Sequence, residues 1–226
     1  MSYTKELKKG QPIIVEINKQ ELDYNPHNNV FVTMGASNHA NEERQVHDYY
    51  ATDPEAVKKL LEVESFDKKI LEPCCGEGHI SKVLTSAGYD VTSSDLYDRG
   101  FGQGGVNFFD ISSFKGDIVT NPPYKRAKDF VEHALKVLDD GSKLAMILKI
   151  QFLESQSRKE LFENHPPKYV YVFTKRTLCA KNGDFEKYNA RAVCYCWFIW
   201  IKGFKGEPSI SCLLYTSDAA DDSTEV

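Results

Sequence analysis

The segment DIVTNPPY, residues 117–124, limits what this chain can fold into more than any other. A short β-branched run is cut off there by two successive prolines. Proline fixes φ and has no N–H to give to a ladder. A strand must therefore end at Thr120, and Asn121-Pro122-Pro123-Tyr124 must leave it as a stiff loop with free carbonyls. On both sides of this segment, apolar runs of strand length alternate with stretches of helical periodicity. That pattern predicts a parallel sheet with helices on both faces. Ligands of such sheets bind beyond the carboxyl ends of the strands, where the Asn121 loop is placed.

The alternation can be followed along the chain. Thr52-Asp53-Pro54 reads as a helix start, a capping residue before proline at the first helical position, and the helix continues through AVKKLLEV. A strand over 69–71 leads into the turn EPCCGEGH, and a helix over 80–87 stops at Gly88. Further strands are predicted at 89–92, 106–109, 117–120 and 143–148, and helices at 127–138 and 155–163. Residues 169–173 and 192–201 are aromatic and β-branched, which predicts two strands of a late antiparallel hairpin. Residues 1–48 read as a polar N-terminal extension with one short strand at 12–17, and the α/β domain is predicted over 49–211.

The Asn121 loop carries the sharpest chemistry. A stiff loop can hold an amide side chain, a backbone carbonyl and an aromatic face around one planar NH₂ group. The Asn121 oxygen and the Pro122 carbonyl would draw that nitrogen's lone pair out of conjugation, while Tyr124 stacks on the plane. The turn after residue 71 has only Gly76 and Gly78, so it lacks the third glycine of a dinucleotide fingerprint, and a hydride-transferring dehydrogenase is disfavoured. Glu72 before that turn suits an amine-bearing ligand. Asp95 closes the next strand, where an acid grips ribose hydroxyls, and Asp110 follows the third strand, where it could meet an adenine amino group between Phe109 and Ile111.

In order, ILEPCCGEGHI, SSDLYD, FFDI and DIVTNPPY resemble the motifs of the amino-methyltransferases. YYATDPEAV, ahead of them, resembles the methionine-binding helix start of the class whose cofactor motifs precede NPPY. IQFLESQSR, PPKYVYVFTKR and CYCWFIWIKG resemble a family of small phage and prophage DNA N6-adenine methyltransferases, so the likeness spans roughly residues 49–206. It implies a Rossmann-like class I S-adenosylmethionine-dependent methyltransferase fold. It further implies S-adenosyl-L-methionine as cofactor, held by Tyr50, Thr52, Glu72, Pro73, Gly76, Gly78, Asp95, Asp110 and Asn121. Asn121, Pro122, Pro123 and Tyr124 would be catalytic, and DNA the partner. Tyr124 and Phe173 would clamp an extruded base, with Lys125 and Arg176 among the basic residues for phosphates. Two departures stand out: Cys74 and Cys75 occupy positions where small residues are usual, and no separate target-recognition domain follows the core.

Composition narrows the rest. The longest apolar run, AVCYCWFIWI, is well short of the ~20 residues that span a membrane, so no membrane association is expected. MSYTKELKKGQP has no apolar core, so no signal peptide is expected and the cytoplasm is the expected location. The six cysteines form no CxxC pair, and no metal site is expected. CLLYTSDAADD resembles the translation of a widely used sequencing-library adapter, so residues 212–226 are expected to be an artefactual tail. Its four acids, Asp218, Asp221, Asp222 and Glu225, supply four of the five net negative charges, leaving a near-neutral body that does not argue against a nucleic-acid partner. Methylation of another planar nitrogen (an RNA base or a protein glutamine) and a non-catalytic nucleic-acid-binding module stay open beside DNA adenine.

Overall fold

The computed structural model describes residues 49–175, 177, 179–181 and 193–214. The strand predicted at 12–17, the whole stretch 1–48 and Arg176 lie outside the described residues. Two sheets form. The larger has seven strands in the order β3-β2-β4-β5-β8-β6-β9: β2 Lys69–Glu72, β3 Asp90–Ser93, β4 Asp117–Thr120, β5 Lys143–Lys149, β6 Tyr169–Phe173, β8 Tyr195–Ile201 and β9 Ser209–Leu213. β2, β3, β4 and β5 pair in parallel. β8 alone runs against its neighbours, antiparallel to β5 and β6, and β9 rejoins parallel to β6. The predicted late hairpin is thus the β6–β8 pair, with Tyr169 opposite Ile199. The small sheet pairs β1 Tyr50–Thr52 with β7 Cys179–Lys181, antiparallel.

Period-two alternation along the central strand divides the core. Leu144, Met146 and Leu148 of β5 face α3, Ala127–Val137, whose Phe130, Val131, Ala134 and Leu135 are buried against them. Ala145 and Ile147 face the other way, onto α1, Pro54–Val63, and α2, His79–Ser86. α1 starts as its sequence dictates. The Asp53 carboxylate accepts from the Glu55 N–H at 2.9 Å, and Pro54 takes the first turn, where no N–H is needed. Trp197 crosses from β8 to α1 and donates its indole N–H to the Ala56 carbonyl at 2.9 Å. Behind β5, Arg158 donates to the carbonyls of Phe152, Gln151 and Glu154, clipping the connection that precedes α4, Lys159–Asn164.

One predicted strand is absent. Residues 106–109 form no strand; Val106 donates its N–H to the Asp95 carbonyl at 3.0 Å, and a 3₁₀ turn follows over Phe108–Asp110. The Asn107 side chain accepts from the Phe109 N–H at 3.2 Å, the local bond by which asparagine competes with a ladder. Phe108 and Phe109 also both lie 5.1 Å from the ring of Phe130. Successive residues of a strand point to opposite faces, so two neighbours packed on one helix cannot be in one. The predicted helix 155–163 is a 3₁₀ turn, Gln156–Arg158, followed by α4.

Candidate active site

The site lies at the carboxyl ends of β2, β3 and β4. Asn121, the first residue after β4, turns back under the small sheet. Its Nδ2 donates to the Tyr50 carbonyl at 2.8 Å and to Thr52 Oγ1 at 3.1 Å, with Cys179 Sγ at 3.9 Å. A carbonyl can only accept, so the NH₂ must face β1 and Oδ1 must face away. Oδ1 is buried and has no hydrogen-bond partner among the described residues. The Pro122-Pro123 pair stiffens the loop that follows, and the Pro123 carbonyl accepts from the Arg126 N–H at 2.9 Å.

Tyr124 completes the loop. Its ring packs near those of Tyr50, at 5.5 Å and 34°, and Tyr195, at 5.9 Å and 33°. Burial holds its hydroxyl well above the ordinary tyrosine range, so it stays a neutral phenol.

Two adjoining hollows meet at Asn121. The larger is lined by Tyr49, Pro73, Asp95, Leu96, Asn107, Phe109 and the Asn121 loop among others. The smaller is lined by Thr52, Glu72 and His79, and shares Tyr49, Tyr50, Cys74 and Asn121 with the first. The glycine turn joins them. Gly76 has φ 54° and donates its N–H to Asp95 Oδ2 at 2.9 Å, while the Tyr97 N–H donates to Oδ1 at 2.9 Å. A side chain at Gly76 would collide with the Tyr49 ring as well as strain that backbone. Gly78, φ 82°, opens α2. Glu72 is 1% exposed, and Ser81 Oγ donates to its carboxyl. Burial pushes that carboxyl up to about 8, against the hydrogen bond from Ser81.

The structure brings together most of the residues singled out in the sequence: Tyr50, Thr52, Glu72, Pro73, Gly76, Gly78, Asp95, Asn121, Pro122, Pro123 and Tyr124. Asp110 stands apart from them, and Phe173 and Lys125 line neither hollow. Asp110 is exposed and accepts from Asn107 Nδ2 at 3.2 Å; Asn107, not Asp110, lines the larger hollow, because the 3₁₀ turn rotates the acid outward. Phe173 is 6% exposed within the apolar cluster of Tyr171, Trp197 and Leu213, and the aromatic beside Tyr124 on that flank is Tyr195. Lys125 is exposed. Sequence reasoning missed Asn107 and Arg99, whose guanidinium carbon lies 4.2 Å from the Tyr49 ring centroid at the rim of the same hollow. The asparagine directly before the aromatic pair FFDI was the available signal for Asn107. Among the described residues no group of three or more His, Cys, Asp or Glu could hold a metal ion, and no helix is long and apolar enough to cross a membrane.

No protein-family model matches the chain, and no curated protein matches it. Solved structures do. The type IIG restriction endonuclease BpuSI superposes with a TM-score of 0.48 at 15% identity, over 77% of this chain and 28% of that much longer one. A TehB-like SAM-dependent methyltransferase from Corynebacterium glutamicum gives 0.43 at 16% identity, over 79% of this chain and 100% of that one. Protein Atu636 of Agrobacterium tumefaciens, described as a predicted O-methyltransferase, gives 0.51 at 12% identity, over 75% and 90%. The fold is the Rossmann-like class I methyltransferase fold. The strand predicted at 106–109 is replaced by the Asn107 turn, and β9 forms one edge of the larger sheet.

Proposed function

We propose that this chain transfers the methyl group of S-adenosylmethionine to the exocyclic N6 of adenine in DNA. The observation that carries the reading is the buried, unpartnered Asn121 Oδ1, turned away from β1 by the Tyr50 carbonyl. Leaving such an acceptor unpaired costs about 1–3 kcal/mol, so the site favours a ligand that brings an N–H to it. A planar amino group is that ligand.

The residues fit the cofactor. Asp95 receives one backbone N–H on each oxygen and keeps lone pairs for two ribose hydroxyls. The larger hollow, walled by Leu96, Phe109 and the Asn107 amide, suits a purine. Glu72, buried beside the smaller hollow, suits an ammonium group. When bound, S-adenosylmethionine supplies an electrophilic methyl on a sulfonium sulfur. Asn121 Oδ1 accepts one acceptor N–H and the Pro122 carbonyl the other, which pulls the nitrogen lone pair out of the ring and aims it. Tyr124, kept neutral, offers a ring face to the base. Asn121 itself would stay neutral while the amino nitrogen gains the methyl as the methyl–sulfur bond breaks, and the nitrogen's proton would pass to solvent. The ordered motif likeness supports adenine in DNA over other planar nitrogens.

The test is to incubate the full chain with cofactor and unmethylated DNA, digest to nucleosides and quantify N6-methyladenine by mass spectrometry. The parent is expected to give product and Asn121→Ala at least about 100-fold less, the loss seen when one preorganised polar group is removed. Cofactor binding without any methylated base in DNA would overturn the DNA reading; label on RNA or on a glutamine-containing protein would name the acceptor instead.

A further inference from the structure

Lys149 ends β5 in the register of Ala145 and Ile147, the row that faces α1 and α2. Its partner across the ladder is Tyr195. The aliphatic stem prolongs an apolar row, and the ammonium emerges where that row meets the Asn121 loop. Lys149 Nζ lies 5.5 Å from the centroid of the Tyr124 ring. Of the cations that follow the Asn121 loop, Arg126 pairs with Asp129 at 3.1 Å and Lys128 donates to the Ser157 carbonyl at 3.0 Å. Lys149 is half-buried, and among the described residues it has neither an ion pair nor a side-chain hydrogen bond. A partly desolvated ammonium set over a ring face is well served by an anion brought from outside.

We propose that Lys149 is the acceptor-side anchor, gripping a backbone phosphate beside the nucleotide whose base stacks on Tyr124. The proposal rests on the reading of the acceptor as DNA and adds the residue that distinguishes a polyanion from a protein amide. Lys149 lines neither hollow, so its contribution falls on the acceptor and not on the cofactor. Arginine can replace it, because a phosphate needs charge and reach; alanine cannot.

The test compares the full chain with Lys149→Ala and Lys149→Arg, measuring KM for DNA over a range of salt, kcat, and cofactor affinity by calorimetry. Lys149→Ala is expected to raise the KM for DNA several-fold and to lower the slope of log affinity against log salt by about 1. Its cofactor affinity is expected to stay at the parent value, which also reports that it has folded. Lys149→Arg is expected to restore both DNA quantities. A Lys149→Ala protein with the parent's KM and salt slope on DNA would overturn the proposal while leaving the DNA reading intact. A parent that methylates no DNA would overturn the reading itself, and the phosphate anchor with it.

Discussion

The Asn121 side-chain amide hangs from the Tyr50 carbonyl, Nδ2 to O at 2.8 Å. That single bond fixes which end of the amide faces the hollows, because a carbonyl accepts and never donates. Asn121→Asp keeps size and shape but sets a carboxylate oxygen against that carbonyl. The variant is expected to lose at least about 100-fold in kcat and to keep cofactor affinity within a few-fold; single-turnover kinetics beside calorimetry separates the two. Equal losses in both would show that the amide serves the cofactor and not the acceptor.

Asp95 is the next residue to test, since it closes the glycine turn through the N–H groups of Gly76 and Tyr97, both at 2.9 Å. Asp95→Asn replaces one accepting oxygen by an NH₂ that faces a backbone N–H. Hydrogen bonds to a charged group contribute about 1.5–3 kcal/mol, so stability is expected to fall by about that much and cofactor affinity by at least tenfold. Urea denaturation and cofactor titration measure the two effects. An unchanged midpoint would mean the turn holds without the acid.

Glu72 links pH to stability. Its carboxyl sits at about 8 in the fold against an ordinary 4.5, so between those values the folded chain holds a proton that the unfolded chain has released. The stability that Glu72 confers is therefore full below about 4.5 and is lost as pH rises toward 8. Glu72→Gln, neutral throughout, is expected to flatten the fall in melting temperature across that window and to weaken binding of a cofactor that carries an ammonium. Proton release on cofactor binding at pH 7, read as a buffer-dependent heat, is the companion expectation for the parent. A Glu72→Gln profile as steep as the parent's would place the titrating group elsewhere.

Leu213 closes the far edge of the sheet. It is 2% exposed, while Ile210 on the same strand is 67% exposed. Leu213→Ala is expected to destabilise by about 2–5 kcal/mol and Ile210→Ala by less than about 0.5 kcal/mol, measured by chemical denaturation. The adapter likeness still marks residues 212–226 as a proposed artefact, yet two of them, Cys212 and Leu213, complete β9 against Val172 and Phe173. Truncation after Ser211 should therefore carry the Leu213 penalty. A truncated chain as stable as the full one would show that β9 adds nothing to the fold.

The sequence by itself determined the class of fold and the place of the site. Alternating strands and helices, the Pro54 helix start, the glycine turn and the proline-ended β4 are local signals, and each acts within a few residues of its own position. It also marked Glu72, Asp95 and Asn121, because acids and amides at strand ends carry their meaning in the topology. Tertiary structure decided what depends on distant partners. The short β1–β7 sheet brings Cys179 opposite Thr52 and fixes the direction of the Asn121 amide, a register no local pattern encodes. Phe108 and Phe109 read as strand, but packing on Phe130 and the Asn107 side-chain bond withdrew them from the sheet and turned Asp110 out of the hollow. Lys149 and Tyr195 stand far apart in the chain, and only antiparallel pairing sets them together beside Tyr124. Chain-local propensity writes turns, caps and strand ends; which side chains share a cavity follows from strand order and from which face each residue presents.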